Sequence, residues 1–161
     1  MSAPALYATS VPVLQRYLAR LTALVDRAGG ADLLAARLAP DMLPFATQAE
    51  IAANFALRAA YPLAGLPVPD YGAFAATADG LRQRIARVQT LLAQLDPSRF
   101  DAARTVSDQA GKALVTLQAD RFLHEYALPN FFFHLTTAYA ILRAAGLALG
   151  KQDYDGWHDY R

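Results

Sequence analysis

Between Phe74 and Leu95 the apolar residues Phe74, Ala78, Leu81, Ile85, Val88, Leu92 and Leu95 recur at alternating steps of four and three. That spacing matches the 3.6-residue period of an α-helix and draws one apolar stripe along it. A strand would send the same residues to both faces. A stripe of this length must be buried against other elements, so the chain needs helical partners for it. Arg82, Arg84 and Arg87 fall mostly off the stripe and predict a solvated face. Asp96-Pro97 predicts the end of the helix.

The partners are also legible. Val11, Leu14, Leu18, Leu21 and Val25 predict a first long helix, with Ser10 as its cap, Pro12 near its start and Gly29-Gly30 at its end. A short helix through Leu33, Leu34 and Leu38 follows, closed by Ala39-Pro40. Asp41 is placed to cap the second long helix, whose face carries Phe45, Ala49, Ala52, Ala56 and Ala59. Such small side chains let a neighbouring helix approach closely. The stretch from Pro62 to Pro69 predicts a break. Beyond Phe100 the helical period disappears. Thr105-Val106-Ser107 and Ala113 to Leu117 flank a turn signal at Ala110-Gly111-Lys112, predicting a small β-hairpin. Asp120 restarts a helix through Phe122, Leu123 and Tyr126, and Pro129 either kinks it or begins the last helix, Asn130 to Ala145. The tail with Tyr154, Trp157 and Tyr160 packs on the bundle or on a partner. Four long amphipathic segments with short connections predict an all-α fold, a four-helix bundle with a short hairpin before the last helix, as one domain over residues 1–161.

Composition narrows the function classes. The 161 residues carry a net charge of +1, which argues against nucleic acid or acidic lipid as partners. There is no cysteine, which removes disulfides, thiolate nucleophiles and Cys-ligated zinc, and suits a cytoplasmic protein. Met1 to Ala5 lacks the pattern of a signal peptide, and no later apolar run reaches the length of a membrane span. Neither a phosphate-binding Gly-rich loop nor a Gly-x-Ser-x-Gly elbow is present.

Three histidines remain as carriers of chemistry. His124-Glu125 lacks the second histidine of a zinc-protease motif, since Leu128 stands there, and a surface role is favoured for His124 and for His158 in the tail. His134 lies in a largely apolar stretch, and Asn130, four residues earlier, shares its helix face. Gln48, amid alanines on the second long helix, is the third polar candidate. Buried amides and imidazoles need hydrogen-bond partners, so the trio predicts either a structural network or a polar pocket. One imidazole and two amides make a poor transition-metal site, and Asp41 or Glu50 would have to add a carboxylate. Tyr126, Tyr139 and the run Phe131-Phe132-Phe133 either line that pocket or belong to the core.

The segment Leu128 to Arg143, with Gly150-Lys151-Gln152-Asp153-Tyr154, Leu38 to Met42, Gln48 and the opening Tyr7 to Val13, resembles an uncharacterised branch of the DinB-like superfamily, catalogued as a domain of unknown function. The resemblance spans nearly the whole chain and implies a four-helix bundle with a hairpin before its last helix. The wider superfamily includes metal-dependent enzymes acting with low-molecular-weight thiols, whose metal sits on one histidine of the second helix and a His-x-x-x-His pair of the last. His134 matches the second of that pair and is the only matching ligand. Asn130 stands in place of the first, and Gln48 stands near the histidine of the second helix. The resemblance therefore implies a vestigial metal site, with no cofactor assigned and a divalent metal disfavoured.

The leading expectation is a small-molecule-binding or catalytically divergent bundle whose pocket includes Gln48, Asn130, His134 and Tyr139. The alternatives are a metal-dependent thiol transferase-like enzyme and a structural or interaction protein acting as a homodimer.

Overall fold

The computed structural model describes residues 4–160, so Met1 to Ala3, on which part of the N-terminal reading rests, and Arg161 lie outside it. Four long helices form the body: α2 (Val11–Ala28), α4 (Phe45–Leu63), α5 (Ala78–Ala93) and α7 (Leu128–Ala144). The short helices α1 (Ala5–Ala8), α3 (Ala31–Ala35), α6 (Ala119–Arg121) and α8 (Lys151–Asp155) join or flank them. α4 lies against both α5 and α7, and α2 packs chiefly on α5, with further contact to α7. The alanines of α4 explain its central place: Ala49, Ala52, Ala56 and Ala59 are fully buried and allow close approach. The stripes of the other helices meet them, Leu14, Leu18 and Leu21 from α2 and Ile85, Val88 and Leu92 from α5, in one apolar core.

Strands β1 (Thr105–Ala110) and β2 (Ala113–Gln118) form the antiparallel hairpin, with Ala110 paired to Ala113. Gly111 takes φ +59 at the first position of the two-residue turn, where a side chain would be strained. Only Val106 of the hairpin is buried, so its packing on the bundle is narrow.

Several local expectations are corrected. Ser10 does not cap α2; its hydroxyl donates to the carbonyl of Leu6 at 2.6 Å, fastening α1, which the pattern did not reveal. α3 ends before Leu38, which is exposed. Asp41 does not cap α4, whose start lies at Phe45 after Pro44, and Pro62 sits within the last turn of α4 rather than breaking it. Phe74 precedes α5, and Thr77 caps that helix by accepting from the amide of Gly80 at 3.1 Å. Arg84 is not on a solvated face. It is 7% exposed, donates to Asn54 Oδ1 at 3.0 Å, pairs with Glu50 at 3.0 Å and lies over the ring of Phe74.

Pro129 stands in the first turn of α7, as one of the two expectations had it, but no break separates that helix from the turn before it. From Phe122 to Ala127 the backbone widens into a π-helical turn that leads directly into α7. Proline has no amide hydrogen for the carbonyl one turn back, and its ring crowds that carbonyl. A widened turn ahead of Pro129 relieves both problems and keeps the helix continuous.

Candidate functional site

The α4–α7 contact brings together polar residues from distant parts of the chain. His134 Nδ1 lies 2.7 Å from Gln48 Oε1, and Arg58 Nη2 lies 3.4 Å from the Tyr126 hydroxyl. As residue numbers rise along α4 they fall along its partner, so the two helices run antiparallel. Gln48 is buried at the bottom of this face, and its carboxamide nitrogen points to the carbonyl of Leu43 at 3.4 Å. That leaves the carboxamide oxygen to accept from the imidazole. His134 therefore carries its proton on Nδ1, and Nε2 keeps its lone pair. The half-buried ring stacks along Phe55 at 6.3 Å, and Nε2 has no hydrogen-bond partner among the described residues.

A second group lies two to three turns further along. Arg58 Nη2 donates to Asp108 Oδ2 at 2.6 Å and to the Gln109 carbonyl at 2.7 Å, which ties β1 to α4. The Tyr126 hydroxyl donates to the same Asp108 oxygen at 2.9 Å. The guanidinium also sits 4.4 Å over the ring of Phe55. Burial, together with the bond to Asp108, pushes the Tyr126 phenol up to about 12, so it remains a proton donor at neutral pH.

The four expected site residues are thus divided. Gln48 and His134 meet. Asn130 shares their face but donates to the Tyr126 carbonyl of its own helix at 2.7 Å, so the anticipated three-way network is not closed. Tyr139 is elsewhere, against Tyr154 beside Thr136 and Lys151. Of the phenylalanine run, Phe131 is core, Phe132 packs edge-on against Tyr17, and Phe133 is exposed. Arg58 and Asp108 escaped the sequence reading because their pairing depends on the hairpin folding back over α4, which no local spacing encodes.

A family model for a domain of unknown function, DUF1993, matches residues 6–155. The chain belongs to the DUF1993 family. A solved structure described as a DinB family member protein from Shewanella denitrificans superposes on the DUF1993 chain with a TM-score of 0.81 and 33% identity. The match covers 97% of this chain and 94% of that one. This DUF1993 protein is accordingly a branch of the DinB-like fold, as its C-terminal motif implied. No curated protein matches it. Among the described residues no helix is long and apolar enough to cross a membrane.

The metal that the DinB resemblance implies does not fit the residues of this DUF1993 site. The oxygen of Gln48 is taken by His134, the Asn130 carboxamide is oriented by its nitrogen donating to its own helix, and amides are weak ligands for transition metals. The Arg58 cation is close enough to help lower the pKa of His134, and it would repel a dication as well. Among the described residues no group of three His, Asp or Glu side chains could hold a metal ion.

Burial, and secondarily Arg58, depress the pKa of His134 below its ordinary value. In the acid range the unfolded chain then binds a proton at this position more readily than the folded one. Stability consequently rises with pH there, and it is lost as pH falls from the ordinary histidine range through the folded-state pKa. Urea unfolding of wild type and His134→Gln at pH 7 and pH 5 checks this. The wild type should lose more stability on acidification than the variant.

Proposed function

We propose that this DUF1993 protein binds a small polar molecule on the α4–α7 face, and that the ligand donates a hydrogen bond to His134 Nε2. One observation carries the reading: the bond from Nδ1 to Gln48 fixes the imidazole tautomer and leaves Nε2 of a partly buried ring as an oriented acceptor without a partner among the described residues. Sites that recognise ligands combine apolar walls with a few convergent polar groups, and here Phe55 supplies a wall while Arg58 and Tyr126 supply the neighbouring polar edge. The same lone pair is suited to accept a proton from a bound hydroxyl or amide, which is the chemistry of a catalytically divergent member. The amides at Gln48 and Asn130 support a vestigial metal site whose remaining imidazole has been given to an organic ligand.

The test is a thermal-shift screen of the purified protein with a panel of small hydroxylated and amide compounds. Shifts seen in wild type should vanish in His134→Ala. Shifts of the same size in the variant, or none in either protein, would sink the reading. Stoichiometric zinc, nickel or manganese retained after loading would replace it with the metal-dependent alternative.

A further inference from the structure

Away from His134, the C-terminal segment builds a polar cleft against α2. The Asp155 carboxylate accepts from the amides of Trp157 and His158 at 2.8 and 3.2 Å, and from His158 Nδ1 at 2.5 Å. Asp155 is 6% exposed, so His158 is held by a buried carboxylate and is not part of a loose tail. With Nδ1 engaged, Nε2 is the nitrogen left for a ligand. On α2, Arg16 donates through Nη2 to the Asp155 carbonyl at 2.8 Å and lies 3.8 Å over the indole of Trp157. Its Nε is buried without a hydrogen-bond partner.

Arg20, one turn along the same helix face, makes no hydrogen bond or ion pair among the described residues. Its guanidinium lies against Gly156, which has φ +67; a Cβ there would lie 2.9 Å from Arg20 Nη1. The cleft has a volume of about 370 Å³, and Arg20, Gln152, Asp153, Trp157, His158 and Asp159 line it. The Asp153 carboxylate is occupied by the Gly150 amide at 2.7 Å and by Arg27 at 3.9 Å, and Asp159 is engaged as well. Arg20 shares the cleft with these two carboxylates and is the one lining cation that forms no hydrogen bond or ion pair among the described residues.

We infer that the cleft between α2 and the segment after α8 is a binding site for a phosphate group, held by Arg20 and His158 and lined on one side by Trp157. A guanidinium offers the forked donors that match phosphate oxygens. A hydrogen phosphate carries both a hydroxyl and bare oxygens, so it complements Nε2 whether that atom accepts or donates. A carboxylate can only accept. The volume exceeds what a bare phosphate fills, which favours a phosphate monoester of a small organic molecule.

Trp157 is the only tryptophan of the chain, so its fluorescence reads the cleft directly. The experiment titrates the full chain with inorganic phosphate and, separately, with glycerol 2-phosphate, at ionic strength held constant with sodium chloride. Both should give a saturable change, and tighter binding of the ester would identify the monoester as the occupant rather than free phosphate. Arg20→Met should weaken both by about tenfold or more, the loss expected for a charge-assisted hydrogen bond. Arg82→Met, an equal change in net charge at another site, should leave both titrations as in wild type. His158→Phe gives an independent second variant and should also weaken binding. A linear, unsaturable response in wild type would overturn the proposal, as would equal affinity in wild type and both cleft variants.

Discussion

Replacing Phe131 with alanine should cost about 3–5 kcal/mol of stability, whereas Phe133→Ala should cost less than about 0.5 kcal/mol. The two residues are neighbours in an unbroken phenylalanine triplet, yet Phe131 is fully buried and Phe133 is 56% exposed. Truncating Phe131 removes a ring from the packed core and leaves a cavity that the surrounding helices fill only partly. Its edge-on contact with Phe132, at 5.3 Å between ring centres, is lost as well. Truncating Phe133 mainly exchanges one solvated surface for another. Urea denaturation of both variants checks the pair, and in a chain of this size the Phe131 variant should melt lower by roughly 10 °C. Similar losses for both would show that the register of α7 is wrong, because rotating the helix would exchange the two positions.

Arg84→Ala should cost about 2–3 kcal/mol, against less than about 1 kcal/mol for Arg82→Ala. Arg84 holds Asn54 and Glu50 from within the α4–α5 contact, and its removal leaves the Asn54 carboxamide oxygen without that donor. It also forfeits the packing of the guanidinium over Phe74. Arg82 pairs with Asp26 at 2.6 Å, but its side chain is 40% exposed and water replaces that partner readily. Chemical denaturation with unchanged denaturant slopes is the measurement. An equal and small effect at both positions would contradict the buried role of Arg84. Because Glu50 keeps substantial solvent contact, the loss should stay below that of breaking a wholly buried ion pair.

These two pairs also show where local pattern stops being informative. Phe131 and Phe133 have the same chemistry, and only the rotation of α7 against α4 separates them. Arg84 lies beside Ile85, a core residue of the stripe, so its long side chain can bend across the edge of the contact toward α4. Binary patterning treats every charged position as solvated and misses that geometry. Gln48 and His134 were identifiable because polar side chains stood out against alanines and phenylalanines. Their bond, 86 residues apart in sequence, required the antiparallel docking of α4 and α7. Arg58 and Asp108 looked like ordinary surface charges and drew no notice. His158 looked like a tail residue, since nothing in the spacing of the C-terminus indicates that Asp155 is buried beneath it.

By itself the sequence determined the helical class, the number of long helices, their apolar stripes and the hairpin with its glycine turn. Those features depend on interactions between residues a few positions apart, so periodicity and turn chemistry carry them. It determined the family as well, through the motif around His134. The tertiary structure alone decided which polar groups meet: the tautomer of His134, the Arg58–Asp108–Tyr126 clasp, the buried place of Arg84 and the cleft around His158. Each depends on rotations of a helix about its axis and on the return of distant segments. Burial raises the cost of an unpaired polar atom, and the packing of the bundle selects the partner that meets it.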